Sequence, residues 1–232
     1  MDDAQLAKKL YNDQFAAFSE KQTAYPSLRD FRKRVFQYYH EHMAGKRVLF
    51  AGCGDGRECQ GAVDAGAKAV VGIDVSDVAI DHCRLNCPGA EFQVMDFEKM
   101  LFDSKSFDTI FSFFAVMYKE DLQSVLREFR RVLKDAGRII LIVPHPIRKM
   151  MKYNENGNYF VKGKRTEVWK GIQRFGYHRL FEDYVEAFAK TNLMLQRLFE
   201  HKPLKETPET PDSEINYPHF LLFELRLLPF VC

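Results

Sequence analysis

Apolar positions recur every three or four residues in two stretches at the start of the chain. Leu6, Leu10, Phe15 and Phe18 share a face over residues 3–20, and Leu28, Phe31, Val35, Phe36 and Tyr39 share one over 27–43. Pro26 separates the two stretches and Gly45 follows the second, so the spacing predicts two amphipathic helices.

From Lys46 the pattern changes to short, continuously apolar runs. Residues 46–51, 69–73, 91–95, 107–113 and 138–143 read as buried strands. Between them lie amphipathic stretches at 56–66, 77–86 and 120–133. In the second of these Val78, Ile80 and Leu85 are expected to face inward, with Ser76 as the cap. In the third, Leu122, Val125, Leu126, Phe129, Val132 and Leu133 form one face. Alternating strands and helices of this kind require a parallel sheet covered on both sides.

The alternation stops at Pro144. Residues 145–178 are polar and aromatic, with Gly157, Gly163, Gly171 and Gly176, and are read as a lid or substrate lobe. A helix at 180–190 and strands at 193–200 and 219–228 follow, the strands joined by a surface loop over 201–217. Two late strands without a helix between them predict an antiparallel end to the sheet. The expected fold is α/β and doubly wound: a seven-stranded, mostly parallel sheet with an antiparallel last strand, plus N-terminal helices and a lid insertion. The expected organisation is a helical cap over 1–44 and one domain over 45–232.

Composition narrows the functional classes. The 232 residues carry a net charge of +2, too weak for a nucleic-acid surface. No apolar stretch is long enough to span a membrane, and the acidic start at Met1-Asp2-Asp3 does not resemble a signal peptide. The five cysteines, Cys53, Cys59, Cys83, Cys87 and Cys232, fit free thiols in a reducing cytoplasm better than disulfides, and their spacing does not suit a metal site.

Three features stand at consecutive strand ends. Gly52-Cys53-Gly54-Asp55-Gly56 lets a ligand approach the backbone, and the helix that follows favours a negative group. Asp74, 18 residues past Gly56, can accept hydrogen bonds from a ribose diol. Asp96-Phe97 is placed to meet an adenine edge and face. Helix caps or turn formers are the plainer reading of the two acids. A nicotinamide dinucleotide prefers a G-x-G-x-x-G spacing, whereas this loop is G-x-G-x-G, which suits S-adenosylmethionine better.

The chain here resembles the class I S-adenosylmethionine-dependent methyltransferases that act on small molecules. Val48-Leu49-Phe50-Ala51-Gly52-Cys53-Gly54-Asp55-Gly56 resembles the family's first motif and Val71-Gly72-Ile73-Asp74-Val75-Ser76 its second. Phe107-Asp108-Thr109-Ile110-Phe111-Ser112 and Leu126-Arg127-Glu128-Phe129-Arg130-Arg131-Val132-Leu133 resemble later motifs. Pro144-His145-Pro146, Tyr177-His178-Arg179, Tyr184-Val185-Glu186-Ala187 and Pro218-His219-Phe220-Leu221-Leu222-Phe223-Glu224 carry the resemblance to the end of the chain. It implies S-adenosylmethionine as cofactor, with Ala51, Gly52, Cys53, Gly54, Gly56, Asp74, Val75, Asp96, Phe97 and Phe113 around it. One departure stands out. Phe50 occupies a place where the family usually has an acid, for which Asp55 or Glu58 are candidates to compensate.

Candidate catalytic residues are Tyr118, His145 and His178, the histidines because imidazole transfers protons near neutral pH. The alternative for each histidine is a structural hydrogen bond. Tyr11, Phe15 and Tyr25 are candidates to line the acceptor site or to form a core-facing stripe, and Arg179 to meet an acidic substrate group or to pair with Glu182 at the surface. Lys162, Lys164 and Arg165 read as a solvated basic run, and Trp169 as packing over the substrate or pinning the lid. The expected function is methyl transfer to a nitrogen or oxygen of a small planar metabolite by a cytoplasmic monomer or homodimer, without nucleic acid, membrane or metal. A nicotinamide-dependent oxidoreductase and a non-catalytic binding protein of the same fold are the alternatives.

Overall fold

The computed structural model describes residues 1–153, 158–205 and 215–228. Two N-terminal helices, α1 (Asp3–Ala24) and α2 (Pro26–Met43), precede the sheet. Asp2 caps α1 in a capping box with Gln5, and Pro26 opens α2 with a fixed φ at the first helical position. There follow β1 (Arg47–Ala51), α3 (Arg57–Asp64), β2 (Ala69–Asp74), α4 (Asp77–Asn86), β3 (Glu91–Val94), β4 (Phe107–Phe113), a 3-10 turn (Val116–Tyr118), α5 (Leu122–Val132) and β5 (Leu133–Pro144). The chain then forms α6 (Pro146–Tyr153), β6 (Gly163–Trp169), β7 (Ile172–His178), α7 (Phe181–Lys190), β8 (Leu193–His201) and β9 (Phe220–Leu227).

The main sheet has seven strands in the order β3-β2-β1-β4-β5-β9-β8. The first five are parallel; β9 runs antiparallel between β5 and β8. This is the expected α/β architecture, with β9 inserted rather than added at the edge. The order reverses at β1, between β2 and β4, which is where a doubly wound sheet opens a crevice. At the other edge β8 is interrupted by a bulge near Arg197 and carries exposed Gln196 and Arg197, which discourage pairing with another chain.

Both sheet faces are covered, which explains the continuous apolar runs. Leu49 and Ala51 of β1 face the layer of α5 and α7, with Phe129, Tyr184 and Phe188. Val48 and Phe50 face the other layer, with Phe31, Val35 and Tyr39 of α2 and Cys59 and Ala62 of α3. Phe50 lies stacked on Phe111, ring centroids 5.2 Å apart and planes 10° apart. A carboxylate would be stranded at that position, so its replacement by an aromatic ring belongs to the packing of β1 on β4.

One expectation changes. In α4 the buried residues are Ala79, Ile80 and Cys83, while Val78 and Leu85 are exposed. The small Ala79 and Cys83 let α4 approach the glycine loop, where Cys83 Sγ donates to the Gly54 carbonyl at 3.2 Å. The stretch 145–178, read as a lid or substrate lobe with no elements assigned to it, contains α6 and an antiparallel hairpin, β6–β7, forming a separate two-stranded sheet. That hairpin packs on α1: Gln14 Nε2 donates to the Gln173 carbonyl and Gln173 N to Gln14 Oε1, both at 2.9 Å. The basic run is also partly committed, Lys164 pairing with Asp3 and Lys162 with Asp183. Residues 154–157, 206–214 and 229–232, including Gly157, Cys232 and much of the expected 201–217 loop, lie outside the described residues.

Candidate functional site

A cavity opens at the carboxyl ends of β1, β2, β4 and β5, roofed by α1, α2 and the β6–β7 hairpin. Its floor is the loop after β1. Gly52 (φ +78°) and Gly54 (φ +55°) both adopt left-handed backbone, and a Cβ on Gly52 would stand 2.3 Å from Ala115 Cβ. Only glycine fits there, and the bare backbone faces the cavity.

Beside the loop lies Asp74, at the end of β2. Its Oδ2 accepts the Gly54 amide at 3.0 Å and its Oδ1 accepts the Ser76 amide at 3.0 Å. No Lys or Arg pairs with it among the described residues. Burial raises its pKa above the usual carboxylate range, against the opposing pull of the backbone donors. A half-buried, oriented carboxylate in a cavity wall is a ready acceptor for a ligand diol.

The other charges on the cavity wall are mostly matched. Glu58 pairs with Arg32 at 2.5 Å, and Arg174 with Glu167 at 2.5 Å. Asp55 is held by Arg57 and by Ser19 Oγ; burial alone would raise its carboxyl, but these partners hold it below the ordinary range. Asp55 and Glu58, both at the cavity, thus already have cationic partners and do not simply replace an acid at Phe50.

The far wall is aromatic. Phe18, Tyr25, Trp169, Phe175 and Phe220 line it, with Tyr118 nearby. Trp169 meets Phe18 and Tyr25 with ring centroids 5.8 and 6.1 Å apart, which fastens the hairpin to the N-terminal helices. Tyr118 stands edge-on to Phe175 at 5.3 Å, and burial pushes its phenol up to about 12. It is therefore a hydrogen-bond donor at neutral pH, not a base.

The sequence-selected residues divide clearly. Gly52, Cys53, Gly54, Asp74, Val75, Phe97, Phe113, Tyr11, Tyr25 and Tyr118 all line the cavity. Ala51 and Gly56 support it from behind: Ala51 is buried in the sheet and accepts Ser112 Oγ at 3.0 Å, while Gly56 (φ +80°) packs against Cys83. Phe15 faces His82, ring centroids 5.0 Å apart. Asp96 is engaged by Lys119, whose Nζ lies 2.5 Å from Oδ2 and 2.9 Å from Glu98. Lys119 was not singled out in the sequence, and nothing in its local spacing marks it.

Neither histidine reaches the cavity wall. His145 is buried between Glu200, 2.9 Å from Nε2, and the Ile147 amide, which donates to Nδ1 at 3.2 Å; burial lowers its pKa. His178 Nε2 lies 2.9 Å from the Tyr159 carbonyl, beside a small side cavity shared with Tyr184. Arg179 is buried, not paired with Glu182, and donates to the carbonyls of Lys119 and Glu120, so it ties the turn before α5 to the start of α7. Each of these three thus has a structural hydrogen bond. The four described cysteines are buried free thiols, and no cluster of metal-ligating side chains occurs among the described residues. No helix there is long and apolar enough to cross a membrane.

Residues 49–141 match the family model of a methyltransferase domain. The malonyl-[acyl-carrier protein] O-methyltransferase of Erwinia pyrifoliae is 32% identical over 54% of this chain, an alignment that spans 48% of that protein. The chain thus spans about half the length of this curated relative. An S-adenosylmethionine-dependent methyltransferase structure from Mesorhizobium loti superposes with a TM-score of 0.71 and 25% identity, covering 83% of this chain and 96% of the other. The Burkholderia thailandensis 1,6-didemethyltoxoflavin-N1-methyltransferase, solved with 1,6-didemethyltoxoflavin and S-adenosylhomocysteine, shares the fold at 13% identity and a TM-score of 0.67, over 97% of this chain and 88% of that one.

Proposed function

We propose that the chain is a class I S-adenosylmethionine-dependent methyltransferase and that it methylates a nitrogen or oxygen of a small, planar metabolite. The observation that carries this reading is a single cavity with two unlike ends. One end holds the glycine cradle and Asp74; the other is walled by Trp169, Phe175, Tyr25 and Phe220.

The cofactor of the class is S-adenosylmethionine, and the residues present fit it. Gly52 has no room for a Cβ, Gly54 holds a left-handed backbone with φ +55°, and Asp74 lacks a cationic partner among the described residues. Asp74 would hold the ribose diol and Phe97 the adenine face. When bound, the cofactor supplies a methyl group already activated on a sulfonium.

The protein's own part is then positioning. Aromatic faces orient a flat acceptor and shield the cationic end of the cofactor. Tyr118 donates a hydrogen bond to the acceptor from its protonated phenol. No histidine lines the cavity among the described residues, so the acceptor atom attacks as a neutral amine or as an already ionised oxygen. His145 and His178 serve as supports, and the active form is a monomer or homodimer.

Incubation with S-adenosylmethionine and pooled aromatic metabolites, read by mass spectrometry, tests the reading. A product heavier by one methylene, absent without enzyme, is expected. Turnover on transfer RNA or acyl-carrier protein alone would refute the small-molecule reading.

A further inference from the structure

Among the charged residues of the cavity wall, two have no countercharge among the described residues. Asp74 belongs to the cofactor end. The other is Arg148, in the first turn of α6 directly after β5. It is 3% exposed, its Nε has no hydrogen-bond partner, and no carboxylate lies within ion-pair distance of it among the described residues. Its guanidinium rests 6.0 Å from the centroid of Phe220. A ring face offsets only a fraction of the cost of removing a guanidinium from water. Every other cation on this wall has a carboxylate: Arg32 has Glu58, Arg174 has Glu167, and Lys119 has Asp96 and Glu98.

Resting on the methyltransferase reading, we propose that Arg148 anchors an anionic oxygen group, a carboxylate or phosphate, on the methyl acceptor. A guanidinium offers a planar fork of donors that matches either group. Its place in the sheet assigns it to the acceptor and not to the cofactor. Asp74 ends β2, whereas Arg148 follows β5 and leans on β9; β1 and β4 intervene. At the usual strand spacing this separates β2 from β5 by about 14 Å. The aromatic wall lies on the Arg148 side, as Phe220 also touches Tyr25, ring centroids 6.1 Å apart. An acceptor with a flat body and one anionic substituent satisfies both features at once.

The test uses the whole chain saturated with S-adenosylhomocysteine, titrated with benzoate, 4-hydroxybenzoate, indole-3-carboxylate, phenyl phosphate and neutral benzamide. At least one anion is expected to bind about tenfold more tightly than benzamide, a typical gain for a charge-assisted pair. Carboxylate and phosphate arms identify the group. Arg148→Met should abolish the preference while S-adenosylhomocysteine affinity and melting temperature hold; Arg148→Lys should retain part of it. Equal binding of anions and benzamide, no binding of any anion, or a preference that survives Arg148→Met would overturn the proposal. So would loss of S-adenosylhomocysteine binding in Arg148→Met, which would place the arginine on the cofactor. The titration is repeated without S-adenosylhomocysteine. If the wild type fails to bind that nucleoside, the methyltransferase reading falls, and the anion preference is still read separately.

Discussion

The Gly54 amide donates a 3.0 Å hydrogen bond to Asp74 Oδ2, joining the loop after β1 to the end of β2. The Ser76 amide fixes the other oxygen. Loop and carboxylate are therefore held in place before any ligand arrives, and ordering them adds little to the cost of binding.

That arrangement makes cofactor affinity depend on pH. Burial raises the Asp74 pKa, and the ionised form is the one that accepts from a diol. S-adenosylhomocysteine affinity should fall on acidification, beginning above the pH at which an ordinary carboxylate protonates. For stability the sign is opposite: a raised folded pKa means that protonating Asp74 relieves a cost, so this group favours the folded state on the acid side. Titration calorimetry between pH 7.5 and 5 checks the first effect. Asp74→Asn should bind weakly with no such slope; a slope that persists would assign it elsewhere.

Two glycines separate conformational strain from steric overlap. Gly45→Ala places a side chain at φ +69° in open space and should cost about 1–2 kcal/mol. Gly52→Ala adds to a similar strain a clash with Ala115 at 2.3 Å, for a total of about 2–5 kcal/mol. Urea denaturation of both variants gives the difference. Equal losses would mean that the loop yields.

His145 and His201 are both buried with pKa values lowered by desolvation, despite Glu200 and Asp30 beside them. Folded pKa values below the unfolded ones mean that the unfolded chain takes up more protons. Their contribution is present above about pH 6.5 and is lost as pH falls below it. His145→Asn should lower stability by about 1 kcal/mol, leave S-adenosylhomocysteine affinity unchanged, and reduce the fall between pH 7 and 5.5. A large drop in methyl-transfer rate at unchanged stability would return His145 to the catalytic role expected from its place after β5.

Trp169 is the only tryptophan. It lines the cavity and packs on Phe18 and Tyr25, so its emission should report events at the acceptor end. Acceptor binding is expected to change the fluorescence more than S-adenosylhomocysteine does. Trp169→Phe should weaken acceptor binding more than cofactor binding, measured by calorimetry.

The sheet was legible because parallel strands buried on both faces leave long apolar runs, and because Gly52, Gly54 and Asp74 mark their ends. The hairpin was not. In β6 only Val-to-Trp alternation near its end carries a signal, and Glu167 is buried through its pairing with Arg174, a contact that no local pattern announces. Position alone also does not show what His145 and Arg179 touch. His145 follows β5 and Arg179 follows β7 of the hairpin, but the groups they meet, Glu200 and the carbonyls of Lys119 and Glu120, come from distant segments. Arg148 was overlooked for the same reason: its distinction is the lack of a partner, which only the folded chain reveals.

Calorimetric titration of the purified chain with S-adenosylhomocysteine tests the central claim most directly. One ligand should bind per chain, and Asp74→Ala should weaken it by about 1.5–3 kcal/mol, or roughly 10- to 100-fold. No heat and no thermal stabilisation at millimolar ligand, or an Asp74→Ala variant that binds as the wild type does, would contradict it.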